Sequence, residues 1–192
     1  MFLPQLAHAH LVSARFGEFY AGLLHPLTSL VHLIPWVALA LFASMQDKRT
    51  SRWNVLVFPL LVILGACFGW ASYKAGEEVP QLIAVANMLS FVVLGACIVS
   101  ALHVANLFFS LAVFFGFTHG FSNGLVALEF YPFLLYLAGV FTAAYLSILL
   151  VSSLGFFIGQ RFAWSSIAIR VLGSWVFAAG AIYTGFSFVG GQ

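Results

Sequence analysis

Residues 18–44 read EFYAGLLHPLTSLVHLIPWVALALFAS, and beyond Glu18 no charged side chain interrupts them. A helix rising about 1.5 Å per residue needs about 20 mainly apolar residues to cross a hydrocarbon core about 30 Å thick. Residues 19–44 satisfy that length while carrying His25, His32, Pro26 and Pro35. Stretches of the same kind recur at about 54–73, 81–101, 103–120, 131–157 and 165–189. The chain therefore reads as an all-α polytopic transmembrane helix bundle of about six spans. Neither a charge nor a proline marks the boundary between the third and fourth spans. No loop is long enough for a soluble domain, so residues 18–192 form a single transmembrane domain behind a short outer N-terminal arm, residues 1–17. The arm lacks the basic start and unbroken apolar run of a secretory signal. It is either a true arm or the trimmed remnant of a longer precursor.

Composition agrees. Charged residues make up 6% of the 192-residue chain, against about 25% in soluble domains, and hydrophobic residues 63%. So little charge cannot clothe a soluble enzyme or a disordered chain, and a net charge of +2 is too small for a nucleic-acid-binding stripe. The 22 Phe and 17 Gly suit helices packed in lipid. Lys48, Arg49, Arg52, Arg161 and Arg170 fall on one side of the expected bundle; Arg15 and Lys74, with Glu77 and Glu78, fall on the other. Basic residues collect on the cytoplasmic side, which places both termini outside.

A polar or ionisable group inside a span is costly and points by default to function. His25, His32, His103 and His119 lie in or at the edges of spans, and His8 and His10 lie in the arm. Imidazole is the commonest side-chain ligand of transition metals. Glu18, His25 and His32 are spaced by sevens, and seven residues come within about 20° of two helical turns. On a continuous helix they form a ladder with rungs about 10 Å apart, Glu18 at the outer mouth and His32 near mid-membrane. Pro26 removes an amide donor and crowds the carbonyl of Gly22. The expectation is a kink beside His25 that opens a polar cavity; the plainer reading is that Pro26 and Pro35 only bend a packed helix.

In the fourth span, Phe117-Thr118-His119-Gly120-Phe121-Ser122-Asn123-Gly124 sets His119 and Asn123 four apart. The two glycines are expected to end the helix there. His119 then sits at the depth of His25, and two imidazoles completed by Glu18, Asn123 or water make a candidate metal site. The alternative is a histidine bonded to a backbone carbonyl. His103 with Asn106 is an exit site or a satisfied interfacial group. Asn87 lines the same cavity or bonds across helices, and Glu129 is a solvated loop residue. His8-x-His10 has a geometry able to pick up a metal ion. Cys67 and Cys97 read as core, not as a disulfide or a metal pair, and Gly65 with Gly69 reads as a close helix contact.

At these residues the chain resembles the HupE/UreJ family of small membrane proteins. That family carries His-Pro-x-x-Gly-x-Asp-His in its first span and a later motif resembling His-Gly-x-x-His-Gly-x-Glu. The matching strings here are His25-Pro26-Leu27-Thr28-Ser29-Leu30-Val31-His32 and His119-Gly120-Phe121-Ser122-Asn123-Gly124-Leu125-Val126. Ser29 and Val31 stand in place of the glycine and aspartate, and Asn123 and Val126 in place of a histidine and the glutamate. The resemblance implies a permease in a bacterial inner (plasma) membrane, with a nickel- or cobalt-class cation as substrate and no covalently bound cofactor. The partners it implies are the lipid bilayer, the metal ion, and either a second copy of the chain or metalloenzyme maturation proteins; no nucleic acid is among them. The absent carboxylates remove charge that would compensate a divalent cation at low dielectric.

The leading expectation is thus a permease in which Glu18 and the arm histidines collect the cation, His25 and His119 bind it, and His32 passes it inward. Two alternatives stand beside it. One is a haem-binding electron-transfer protein ligated by His25 with His119 or by His32 with His103. The other is a non-transporting accessory or scaffold member of the family. An enzyme is not expected, since no serine, cysteine or metal-hydrolase arrangement accompanies a base, and no Gly-x-x-x-x-Gly-Lys-[Ser/Thr] nucleotide-binding string occurs.

Overall fold

The computed structural model describes residues 9–76, 80–127 and 133–189, with the backbone alone for 9–16 and 188–189. His8, Glu77, Glu78 and Glu129, and the side chains of His10 and Arg15, lie outside the described residues. Seven helices and no strand are present among those described: α1 (Ala9–Thr28), α2 (Leu30–Ser44), α3 (Lys48–Lys74), α4 (Gln81–Val99), α5 (Ala105–Val126), α6 (Phe133–Arg161) and α7 (Ser165–Val189). Helices α3 to α7 are each long and apolar enough to cross a membrane. At 15 residues α2 is only about 22 Å long, short of the core thickness. Together with the Gly17–Thr28 part of α1, bent against it by 73°, it is long and apolar enough for a broken span or a re-entrant loop. The chain is an integral membrane protein with five candidate spans, or six where the bent pair counts as one.

Two expected boundaries move. Helix α3 begins at Lys48, so Lys48, Arg49 and Arg52 sit in its first turns and not in a loop. Helix α5 does not end at its glycines but runs through Gly120 and Gly124 to Val126. The reason is packing. A Cβ on Gly120 would fall on the Val62 carbonyl and one on Gly124 on the Ala66 carbonyl, while Gly65 and Gly69 of α3 face the Phe117 and Phe121 carbonyls in return. Small residues four apart on both helices let the backbones touch, which replaces the hydrophobic driving force that lipid does not supply. The expected role of Gly65 and Gly69 is met.

Helix α2 occupies the middle of the bundle. Ala38, Ala40, Phe42 and Ala43 have no exposed surface, and the Phe42 ring meets that of Phe108 on α5 edge-on at 5.5 Å. The outer faces are apolar, as on α3, where Leu56, Leu60, Leu64 and Phe68 form an exposed stripe at four-residue intervals suited to lipid. Cys67 and Cys97 are both free.

The helix ends gathered beside the basic residues are individually closed. Asp47 caps α3 by accepting the Arg49 and Thr50 amides at 3.0 Å each and the Thr50 hydroxyl. The Thr50 hydroxyl and amide, with the Arg49 amide, hold its carboxyl below the usual carboxylate range. Helix α4 stops without glycine, proline or charge. Ala101 turns left-handed (φ 51°), its amide donates to Ile98 O at 3.0 Å, and the Leu102 amide donates to Cys97 O at 3.1 Å, a Schellman closure. Buried Gln46 donates to Leu102 O at 3.0 Å, and Arg170 Nε donates to Val99 O at 2.9 Å. Alanine holds a backbone conformation that favours glycine, so Ala101→Gly is expected to stabilise the fold by about 1 kcal/mol. Thermal unfolding in detergent measures this as a rise in Tm of a few degrees.

Candidate functional site

The site forms where the first span breaks. Pro26 lies in the last turn of α1, yet the break falls three residues later, at Ser29 (φ −86°, ψ 108°). Proline cannot donate to the Gly22 carbonyl. The Thr28 hydroxyl donates to Leu24 O at 2.8 Å, competing locally with the backbone ladder. The Ser29 amide still closes α1 on His25 O at 3.0 Å, while its carbonyl accepts the His32 and Leu33 amides at 3.0 and 2.8 Å and opens α2. Ser29 is therefore a joint made by backbone alone, at the place where the family motif has glycine.

This break overturns the ladder. In place of rungs about 10 Å apart, the 73° bend swings His32 back until its ring centre lies 5.7 Å from that of His25. His119 of α5 joins from the other side: its Nδ1 is 2.9 Å from His32 Nδ1, with ring centres 5.2 Å apart. His32 is 6% exposed and His119 fully buried. It is His32, not His25, that contacts His119, so His32 is the middle member of the cluster and not a deeper relay. Glu18, half-buried on the same continuous part of α1 as His25, stays about 10 Å from it along the axis.

A third helix, α4, determines which ring nitrogens carry protons. The Ser90 hydroxyl donates its single hydrogen to Asn87 O at 2.5 Å, and its oxygen lies 3.0 Å from His119 Nε2. Ser90 must then accept from Nε2–H, which leaves the lone pair of His119 on Nδ1. That lone pair accepts from His32 Nδ1–H, which leaves the lone pair of His32 on Nε2. Asn87 is fixed in turn by donating to Ser122 Oγ at 2.8 Å and to Thr118 O at 3.3 Å. Asn123 donates to His119 O at 2.8 Å, one turn away on α5, and its Oδ1 is buried without a hydrogen-bond partner. His25 Nε2 is buried without a hydrogen-bond partner.

Of the residues singled out from sequence, His25, His32 and His119 are brought together, Asn123 is bonded to the backbone of His119, and Glu18 stands apart along α1. Ser90 was missed. Its signal was the pairing of Asn87 and Ser90 three apart inside an apolar span, since the interior of a membrane helix offers water to neither. His103 sits exposed on the turn before α5, about 20 Å along that helix from His119. Because His32 is in contact with His119, the His32–His103 pairing for haem fails.

A metal about 2.1 Å from a ring nitrogen is about 3.2 Å from the ring centre, so two imidazoles sharing one ion have centres about 4.5 to 6.4 Å apart. The 5.7 Å between His25 and His32 lies within that range. Among the described residues no three His, Cys, Asp or Glu side chains are disposed to hold a metal ion.

Helices long and apolar enough to span, a bent first pair, and a histidine cluster buried where that pair meets α5 define a polytopic membrane protein with a buried polar site. The HupE / UreJ protein family model matches residues 1–183, and the chain belongs to the HupE/UreJ family. No curated protein and no solved structure matches it.

Proposed function

We propose that the chain is a permease for a transition-metal cation of the nickel or cobalt class, with His25 and His32 as its binding station. The observation that carries this reading is the convergence of three histidines from two spans at one buried point. The hydrogen-bond chain from Asn87 through Ser90 and His119 leaves a lone pair on His32 Nε2, on a ring whose centre is 5.7 Å from that of His25, whose own Nε2 is unpartnered. Two neutral ligands and water hold a cation weakly enough to release it. Family membership supports a membrane permease or accessory role and not an enzymatic one. The five basic residues Lys48, Arg49, Arg52, Arg161 and Arg170 belong to one end of the bundle. We assign that end to the cytoplasm and both termini to the outside of a bacterial inner membrane. The membrane potential then drives entry, at about 2.3 kcal/mol per charge per 100 mV.

Elemental analysis of purified protein loaded with nickel or cobalt tests the station: wild type retains the metal after desalting, and His25→Ala does not. Equal retention in both removes the reading. Val31, in place of the motif aspartate, favours a second reading, an accessory member that binds the cation without moving it. Metal retention with no uptake into proteoliposomes distinguishes it.

Ser90 is a positioning residue in this scheme. Partners that orient a ligating histidine are worth about 10- to 100-fold in metal affinity. Ser90→Ala is expected to weaken nickel binding by about that factor, measured by titration calorimetry, and to lower Tm by a few degrees as the buried His119 Nε2–H loses its acceptor; Ser90→Thr, which keeps the hydroxyl, restores both.

A further inference from the structure

We propose that Asn54 forms a second polar station on the inner half of the same path, taking the cation with part of its water shell after it leaves the histidines. This rests on the transport reading above. Asn54 has no exposed surface, and neither its Nδ2 nor its Oδ1 finds a hydrogen-bond partner. Leaving a buried amide unmatched costs about 1–3 kcal/mol per group. The buried amides of Asn87 and Asn123 each spend their N–H on a neighbour; Asn54 spends neither end. Such a side chain deep in a membrane bundle is explained by a polar guest.

Its place in the fold says which guest. Ser51, Asn54 and Phe58 lie on the buried face of α3, and the Phe58 ring meets the Trp36 ring edge-on at 5.6 Å. Trp36 in turn is 6.3 Å, centre to centre, from His32, and its indole Nε1 is also buried without a partner. Inward from the histidines the order is therefore Trp36 with Phe58, then Asn54, then Ser51. Ser51 and Ser152 line a cavity of about 410 Å³ between α3 and α6 that also bears Lys48 and Arg52. Between the cluster and that opening lie the Trp36–Phe58 pair, Asn54 and Ser51. A neutral amide oxygen is a weak, water-sharing ligand, which suits passage over storage.

Asn54→Leu, nearly conserving volume, is the test, read by nickel retention in detergent and by nickel uptake into proteoliposomes. Retention at the histidines is expected to stay within about threefold of wild type while uptake falls at least about tenfold. Uptake within twofold of wild type overturns the proposal, the more so if Tm rises as an unmatched amide is removed. His32→Ala run alongside separates the two levels: if it transports like wild type, the permease reading fails; if it is inactive while Asn54→Leu transports normally, only the Asn54 station fails. Should Asn54→Leu not be recovered folded, Asn54→Thr and Asn54→Val replace it, differing by one hydroxyl. Uptake kept in Thr and lost in Val supports the station, and equal uptake in the two overturns it.

Discussion

Replacing His32 by alanine is expected to lower nickel or cobalt uptake into proteoliposomes by at least about 100-fold. Residues that merely orient a ligand cost about 10- to 100-fold when removed, and the His32 ring meets the rings of both other histidines. Alanine would also leave His119 Nδ1 unmatched and open a void, so loss of uptake alone does not separate chemistry from folding. His32→Gln does. Its amide can still donate to His119 Nδ1, but it offers the cation only a weak oxygen ligand. The expected result is a protein that unfolds within a few degrees of wild type yet neither retains nor transports the metal. Normal uptake by His32→Gln would mean that the imidazole is structural.

The second large effect is on assembly. Gly120→Val places side-chain atoms where the Val62 carbonyl already lies, on a contact made by backbone on both sides. Backbone cannot step aside as a flexible side chain can, and the expected cost is about 3 kcal/mol or more. Helices α3 and α5 would separate, carrying His119 away from His32, so purified protein should be aggregated or should lose its cooperative unfolding transition. Gly159→Ala is the matched control. Nothing lies within 4 Å of a Cβ there, and alanine is the better helix former by about 1 kcal/mol. A rise in Tm for Gly159→Ala beside collapse of Gly120→Val would tie the loss to the α3–α5 contact and not to glycine substitution as such.

The spans were legible because lipid enforces them. Residues 165–189 form α7 with the expected bounds, and the Gly65–Gly69 contact followed from small residues four apart. The end of α4 was not legible, because Ala101 takes a conformation that usually announces itself as glycine, and because Gln46 and Arg170, remote in sequence, supply the closing bonds. The histidines could be named from their cost in a membrane, but not their arrangement. A heptad ladder presumes an unbroken helix, and the break at Ser29 is a backbone event that Pro26 foreshadows without locating. The glycines after His119 were misjudged for a related reason: they serve a neighbouring helix, not the end of their own. Ser90 escaped notice because serine is unremarked in a span until its partner across the interface is known.

An X-ray absorption spectrum of the protein loaded with one equivalent of nickel reads the metal's neighbours themselves. The expected first shell contains two imidazole nitrogens at about 2.1 Å with oxygen from water, and His25→Ala or His32→Ala removes one imidazole each. A shell of oxygen alone, or a two-imidazole shell that survives both substitutions, would contradict a binding station built from the first-span histidines.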